Sequence, residues 1–154
     1  MTEFAPCGSL ADCIRKRPEP HEKIKTKVLL DAAKGLQYLH GNGILHRDIK
    51  PDNVLVFSLD EVIGVNGKLT DFGSSRNVNL LMTNMTFTKG VGSPTFMAPA
   101  VLNKEKSKKA ADVYSFGVTM YECFMWGEAF PKSSSRTRGT TPPVQNGNTT
   151  GLGR

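Results

Sequence analysis

Residues 46–55 read His-Arg-Asp-Ile-Lys-Pro-Asp-Asn-Val-Leu, and residues 70–73 read Thr-Asp-Phe-Gly. Together they hold the groups that a phosphoryl transfer to a hydroxyl needs. Such a transfer asks little covalent chemistry of a protein; it asks for positioning and for charge placed on the phosphates. Asp48 can accept the proton of a substrate hydroxyl, or orient that hydroxyl. Lys50, further along the same extended loop, points the same way and can neutralise the moving phosphoryl group. Asn53 offers an amide oxygen and Asp71 a carboxylate. Magnesium takes such hard oxygen donors and keeps its other sites for water and phosphate oxygens. His46 is expected to pack and hydrogen-bond rather than react. Taken singly, Asp48, Lys50 and Asn53 read as solvated loop residues and Asp-Phe-Gly as a turn. In combination the two motifs are specific.

Several elements must position these groups. Ser9-Leu-Ala-Asp12 resembles a capping box opening a short helix that ends before Pro18. Leu29, Ala32, Ala33, Leu36 and Leu39 fall on one helical face, which predicts a helix from about Glu22 to His40, stopping at Gly41 or Gly43. Ile44-Leu45, Val54–Val56 and Lys68–Thr70 suit short strands, with Asn66-Gly67 as the hairpin turn between the last two. Residues 74–100 show no helical or strand period and read as a long loop, a kind that is usually functional. A second long helix is expected over 111–126. It is apolar nearly all round, as befits the centre of a larger protein. The fold class expected is α+β, mainly α-helical, with short β-hairpins around the 46–55 loop.

The 154 residues have length for one modest core. Composition changes near Pro131. Residues 132–154 are Ser, Thr, Gly, Asn, Pro and Arg, with Val144 and Leu152 as the large apolar residues, and read as a disordered tail. That tail holds +4 of the net charge of +6 and lacks acidic residues. It also lacks aromatic residues, so it offers no stacking platform for bases, and nucleic acid is not expected as a partner. No apolar stretch is long enough to cross a membrane and no secretory signal stands at the N-terminus. Cys7, Cys13 and Cys123 lack metal-ligand spacing and read as reduced thiols of a cytoplasmic protein.

Residues 1–131 resemble the C-terminal lobe of a eukaryotic protein kinase, from the interlobe hinge through the F helix. Lys50-Pro51 resembles the Ser/Thr kinases, and the run as a whole is most similar to the tyrosine-kinase-like group. Gly92-Ser-Pro-Thr-Phe-Met-Ala-Pro99 resembles the end of an activation segment, and Asp112-Val-Tyr-Ser-Phe-Gly117 the start of the F helix. The resemblance implies a protein serine/threonine kinase that uses ATP and Mg2+ and acts on protein substrates. It implies Thr2 as gatekeeper, Glu3 and Ala5 main-chain groups on the adenine edge, and Leu55 beneath the ring. Phe72 and His46 would share a spine. Arg47 would bind a phosphate on the activation segment, with Thr83, Thr86 and Thr88 as acceptors. Ser93 takes the place of a Thr whose hydroxyl links Asp48 and Lys50, and Asp112 would hold the catalytic-loop backbone.

Three departures set the alternative. No glycine-rich loop or Val-Ala-Ile-Lys strand lies upstream of the motifs, Ala100 stands where the family has Glu, and the pattern gives way to tail after Pro131. The rival expectation is therefore a catalytically inactive kinase remnant, a binding module or truncated gene product. The 111–126 helix would then expose apolar surface, open to another chain.

Overall fold

The computed structural model describes residues 3–77, 93–103 and 109–130. Helix α1 (Leu10–Lys16) opens on the expected capping box. Ser9 Oγ accepts from Asp12 N at 3.1 Å, and Asp12 Oδ2 accepts from Ser9 N at 3.3 Å. Lys16, one turn on, together with Ser9, holds the Asp12 carboxyl down at about 2. Helix α2 (Glu22–Gly41) is capped by His21, whose Nδ1 accepts from Lys23 N, and ends at Asn42 and Gly43, the latter at φ 70°. Its buried stripe is Val28, Leu29, Ala32, Leu36 and Leu39, joined by Lys25.

Among the described residues four short strands form two antiparallel pairs. Strand β1 (Ile44–Leu45) pairs with β4 (Arg76–Asn77); β2 (Val54–Val56) pairs with β3 (Gly67–Leu69). The hairpin turn differs from expectation. Gly67 lies inside β3, opposite Val56, and the connection runs through 57–66. Asn66 is fully buried instead of sitting at a turn tip. Its Nδ2 donates to Ser58 O and Asp60 O, and its N donates to Asp31 Oδ2 at 2.7 Å. Asn-Gly here organises a longer loop because α2 supplies the carboxylate that receives its backbone. The described parts of 74–100, residues 74–77 and 93–100, also hold more regular structure than their pattern suggests. Besides β4 they contain a 3-10 turn at Pro94–Phe96 and the start of helix α3 (Pro99–Leu102), while 78–92 lie outside the described residues. Elements this short have no readable period; β4 exists because β1 pairs with it.

Helix α4 (Lys109–Met125) crosses α2. The core is built from Leu10 and Cys13 of α1, Val28, Leu29 and Ala32 of α2, Val54 and Val56 of β2, and Cys123 of α4. At the end of α4, buried Lys25 donates to Phe124 O at 2.8 Å and pairs with Glu19, while Trp126 Nε1 donates to Arg17 O at 3.0 Å. The inner face of α4 holds Asp112, Thr119, Glu122 and Cys123. Val113, Tyr114, Met120, Tyr121, Phe124 and Met125 are exposed, as expected of that helix. All three cysteines are free thiols, and burial is the main cause raising Cys13 to about 11 and Cys123 to about 12. The expected tail, 132–154, lies outside the described residues.

Helix α2 and strand β3 approach closely at Gly67, where an added Cβ would stand 2.7 Å from Val28 O. Backbone cannot step aside as a side chain can. Gly67→Ala should therefore lower unfolding free energy by about 1–3 kcal/mol, read as a lower urea midpoint with unchanged slope. Gly41→Ala, with open space around it, should leave the midpoint unchanged or raised.

Candidate active site

The site begins with Asp112, in the first turn of α4 and 1% exposed. Its Oδ2 accepts from His46 N at 2.9 Å and its Oδ1 from Arg47 N at 2.8 Å. His40 Nε2, from α2, lies 2.9 Å from Oδ2. Arg47 stands at φ 72°, a left-handed conformation that costs a non-glycine residue about 1–3 kcal/mol. The two bonds to Asp112 flank that turn and hold it. His46 is fully buried; its Nε2 lies 3.0 Å from Thr70 O, and its ring sits 5.5 Å from that of Phe72. It packs and hydrogen-bonds.

Asp48 follows directly. Lys50 Nζ lies 2.9 Å from its Oδ2, and Asn53 Nδ2 donates to the same oxygen at 3.1 Å and to Asp48 O at 2.7 Å. Lys50 Nζ also donates to Ser93 Oγ at 2.9 Å. Ser93 links the pair differently from expectation: its hydroxyl meets Lys50, whereas its main-chain N donates to Asp48 Oδ1 at 3.1 Å. The link to Asp48 thus survives any residue but proline at 93; the link to Lys50 needs the hydroxyl. Burial opposes ionisation of Asp48, but Lys50, Asn53 and the Ser93 N–H outweigh it and hold the carboxyl below its ordinary range.

The metal-ligand candidates come from two sides. Pro51–Asn53 forms a 3-10 turn, and both N–H groups of Asn53 that face Asp48 are used there, leaving its Oδ1 as a free acceptor. Asp71 caps the turn Phe72–Ser74 from φ 59°, with Oδ1 accepting from Gly73 N and its other oxygen open on an exposed residue. One amide oxygen and one carboxylate oxygen are hard donors and fit magnesium in kind.

Of the residues implied for adenine, Leu55 is half-buried on β2, where its backbone bridges to Ser9. Ala5 O accepts from Gly8 N at 3.1 Å, and Glu3 turns its carboxylate to Lys68 at 2.5 Å. Thr2, Thr83, Thr86 and Thr88 lie outside the described residues. Sequence reasoning missed two groups. Arg76 of β4 stands close enough to Arg47 that its charge, after burial, lowers the Arg47 pKa; two neighbouring guanidiniums suit an anion. His40 joins Asp112 from the end of α2. Neither carries a local signal, since each acts through the β1–β4 pairing or the α2–α4 contact.

A buried anchor, an ionised carboxylate between a lysine and an asparagine, and oxygen donors flanking it come together around the 46–55 loop. The family model for the protein kinase domain matches residues 1–145, and the chain belongs to that family. Its relatives include the probable serine/threonine-protein kinase gdt9 of Dictyostelium discoideum, 35% identical over 151 residues, covering 79% of this chain and 9% of that protein. Mitogen-activated protein kinase kinase kinase 17 of Arabidopsis thaliana is 33% identical over 137 residues, covering 88% of this chain and 34% of that protein. Mitogen-activated protein kinase kinase kinase mkh1 of Cytospora mali is 33% identical over 150 residues, covering 92% and 8%. The chain thus spans a small part of the curated relatives it matches.

The held-down carboxyl has a consequence for pH. Asp48 contributes stability that is fully present above its ordinary value of 3.8 and is lost as pH falls through the lower, folded value. Lys50→Met removes the chief lowering partner and leaves burial opposed only by Asn53 and the Ser93 N–H. Carbon-detected NMR of labelled aspartate should then show Asp48 titrating at a higher pH than in the parent chain. An unmoved midpoint would show that Lys50 does not set its charge.

Proposed function

We propose that this chain carries the catalytic-loop and metal-binding part of an ATP- and magnesium-dependent protein serine/threonine kinase, within the tyrosine-kinase-like group. The observation that supports it most is the Lys50–Asp48–Asn53 cluster, closed by Ser93 from a distant turn. In this reading Asp48 orients a substrate serine or threonine hydroxyl and takes its proton. Lys50, held by Asp48 and Ser93, meets the charge of the transferred phosphoryl group. Asn53 and Asp71 would hold magnesium, which when bound would bridge and neutralise the nucleotide phosphates. Leu55 would lie under adenine, with the Glu3 and Ala5 main chain at its edge. Arg47 with Arg76 would receive a phosphate on the activation segment, Thr83, Thr86 or Thr88 being the acceptors.

The kinase portion is assigned to 1–131 and a basic tail to 132–154. That boundary rests on composition, since the family model itself runs to 145. A cytoplasmic setting is favoured by three free cysteines. Among the described residues no helix is long and apolar enough to cross a membrane.

A second reading, a non-catalytic module that binds another chain, is favoured by one observation. The outer face of α4 presents Val113, Tyr114, Tyr121 and Met125 to solvent. Labelled ATP, magnesium and a generic protein substrate separate the two. The kinase reading expects phosphate on Ser or Thr, reduced about 10²–10⁴-fold in Asp48→Asn. No incorporation, together with no nucleotide-induced rise in Tm, would instead support the binding module.

A further inference from the structure

Three thiols lead from the surface into the core, and the transfer chemistry uses none of them. Cys7 is half-buried just ahead of α1, while Cys13 on α1 and Cys123 on α4 are fully buried. Cys13 and Cys123 belong to the core cluster, and Cys7 packs against it. Cys7 is close enough to Cys13 that its charge would raise the Cys13 thiol. A thiol that solvent can reach, with a second thiol close by, is the arrangement that reversible oxidation needs.

The fold brings Cys7 and Cys13 together through the turn at Gly8, φ 75°, and the capping box that opens α1. Cys7 N donates to Val56 O at 3.2 Å, which fixes the residue beside β2. Cys13 Sγ donates to Cys7 O at 3.4 Å, so that sulfur rests on the backbone of Cys7. Cys7 Sγ is held by a long contact, 4.0 Å to Phe57 O, and can turn toward Cys13 at little cost.

We propose that Cys7 is a site of reversible oxidation by a small peroxide, with Cys13 as the thiol that resolves it to a disulfide. In the first step the Cys7 sulfur attacks a peroxide oxygen. An S–O bond forms, the O–O bond breaks, and the leaving hydroxide takes the Cys7 proton as water. The Cys13 sulfur then attacks the Cys7 sulfur. The S–S bond forms, the S–O bond breaks, and a second water carries off the Cys13 proton. Two thiols give up two electrons and the peroxide takes them. Burial, the main cause, raises Cys13 to about 11, which slows closing and gives the Cys7 sulfenic acid a lifetime in which it can be trapped. The disulfide ties the segment around Cys7 to α1. That this segment meets adenine rests on the kinase reading; the crosslink itself does not.

Trypsin releases residues 1–15 as one peptide holding both Cys7 and Cys13, while Cys123 falls in 110–132. The full chain is treated with hydrogen peroxide at neutral pH, alkylated and digested. Peptide 1–15 should come unalkylated and lighter by two hydrogens, and dithiothreitol before alkylation should return it to the doubly alkylated form. Cys123 should stay a free thiol throughout. Cys13→Ser should instead leave a dimedone-reactive sulfenic acid on Cys7. Cys7→Ser should slow oxidation of the remaining thiols about tenfold or more. That substitution lies outside the buried core and decides the matter if Cys13→Ser fails to fold. Doubly alkylated 1–15 after peroxide, 1–15 joined to 110–132, or oxidation of Cys13 and Cys123 undiminished in Cys7→Ser would each overturn the proposal.

Discussion

The buried carboxylate of Asp112 is the contact through which α4, α2 and the catalytic loop become one structure. A lone charge at 1% exposure would cost several kcal/mol. Here it receives two main-chain N–H groups and a histidine ring, each a charge-assisted bond of about 1.5–3 kcal/mol. Those bonds also hold Arg47 in its left-handed turn, and Asp48 is the next residue. Loss of the carboxylate would strand two buried donors and release the strained turn together. The position of the candidate base thus depends on a side chain in another helix.

Around that anchor the site is an electrostatic compromise. Asp48 is removed from much of the solvent, which disfavours its charge, yet Lys50, Asn53 and the Ser93 N–H keep it ionised. An ionised carboxylate can accept or orient a proton, while Lys50 keeps its charge available to an anion. The price is that Ser93 must be delivered from a separate turn, Pro94–Phe96, whose place on α4 is held by Ser115 Oγ donating to Phe96 O at 2.7 Å. Helix α4 therefore fixes both ends of the cluster: Asp112 holds the His46 and Arg47 backbone that leads into Asp48, and Ser115 holds the turn that carries Ser93.

This explains the inverted character of α4. Its inner face is polar because it works through hydrogen bonds: Asp112 to the loop, Thr119 to Ser115 O, Glu122 to Ala129 N. Most of its large apolar side chains face outward, with Phe116 packed against the core. Each such side chain would gain about 1.5–3 kcal/mol on burial, so the outer face is where a covering surface would contribute most. A pattern apolar nearly all round marked the helix as central, and only the packing shows which side is already occupied.

The capping box at Ser9, the length of α2 and the side-chain order of residues 46–55 and 70–73 follow from sequence because each depends on neighbours within a few positions. A cap needs an acceptor beside its own helix, a helix needs a periodic apolar face, and a polar cluster such as Asp48, Lys50 and Asn53 needs particular side chains in order. The Asn66-Gly67 turn, strand β4, the two-part link of Ser93 and the roles of Arg76, His40 and Glu122 were decided by tertiary structure. Each depends on a partner far along the chain: Asp31 for Asn66, β1 for β4, Lys50 and Asp48 for Ser93. Local propensity cannot encode such pairings, because the hydrogen bonds that reward them form only once the helices and hairpins have packed.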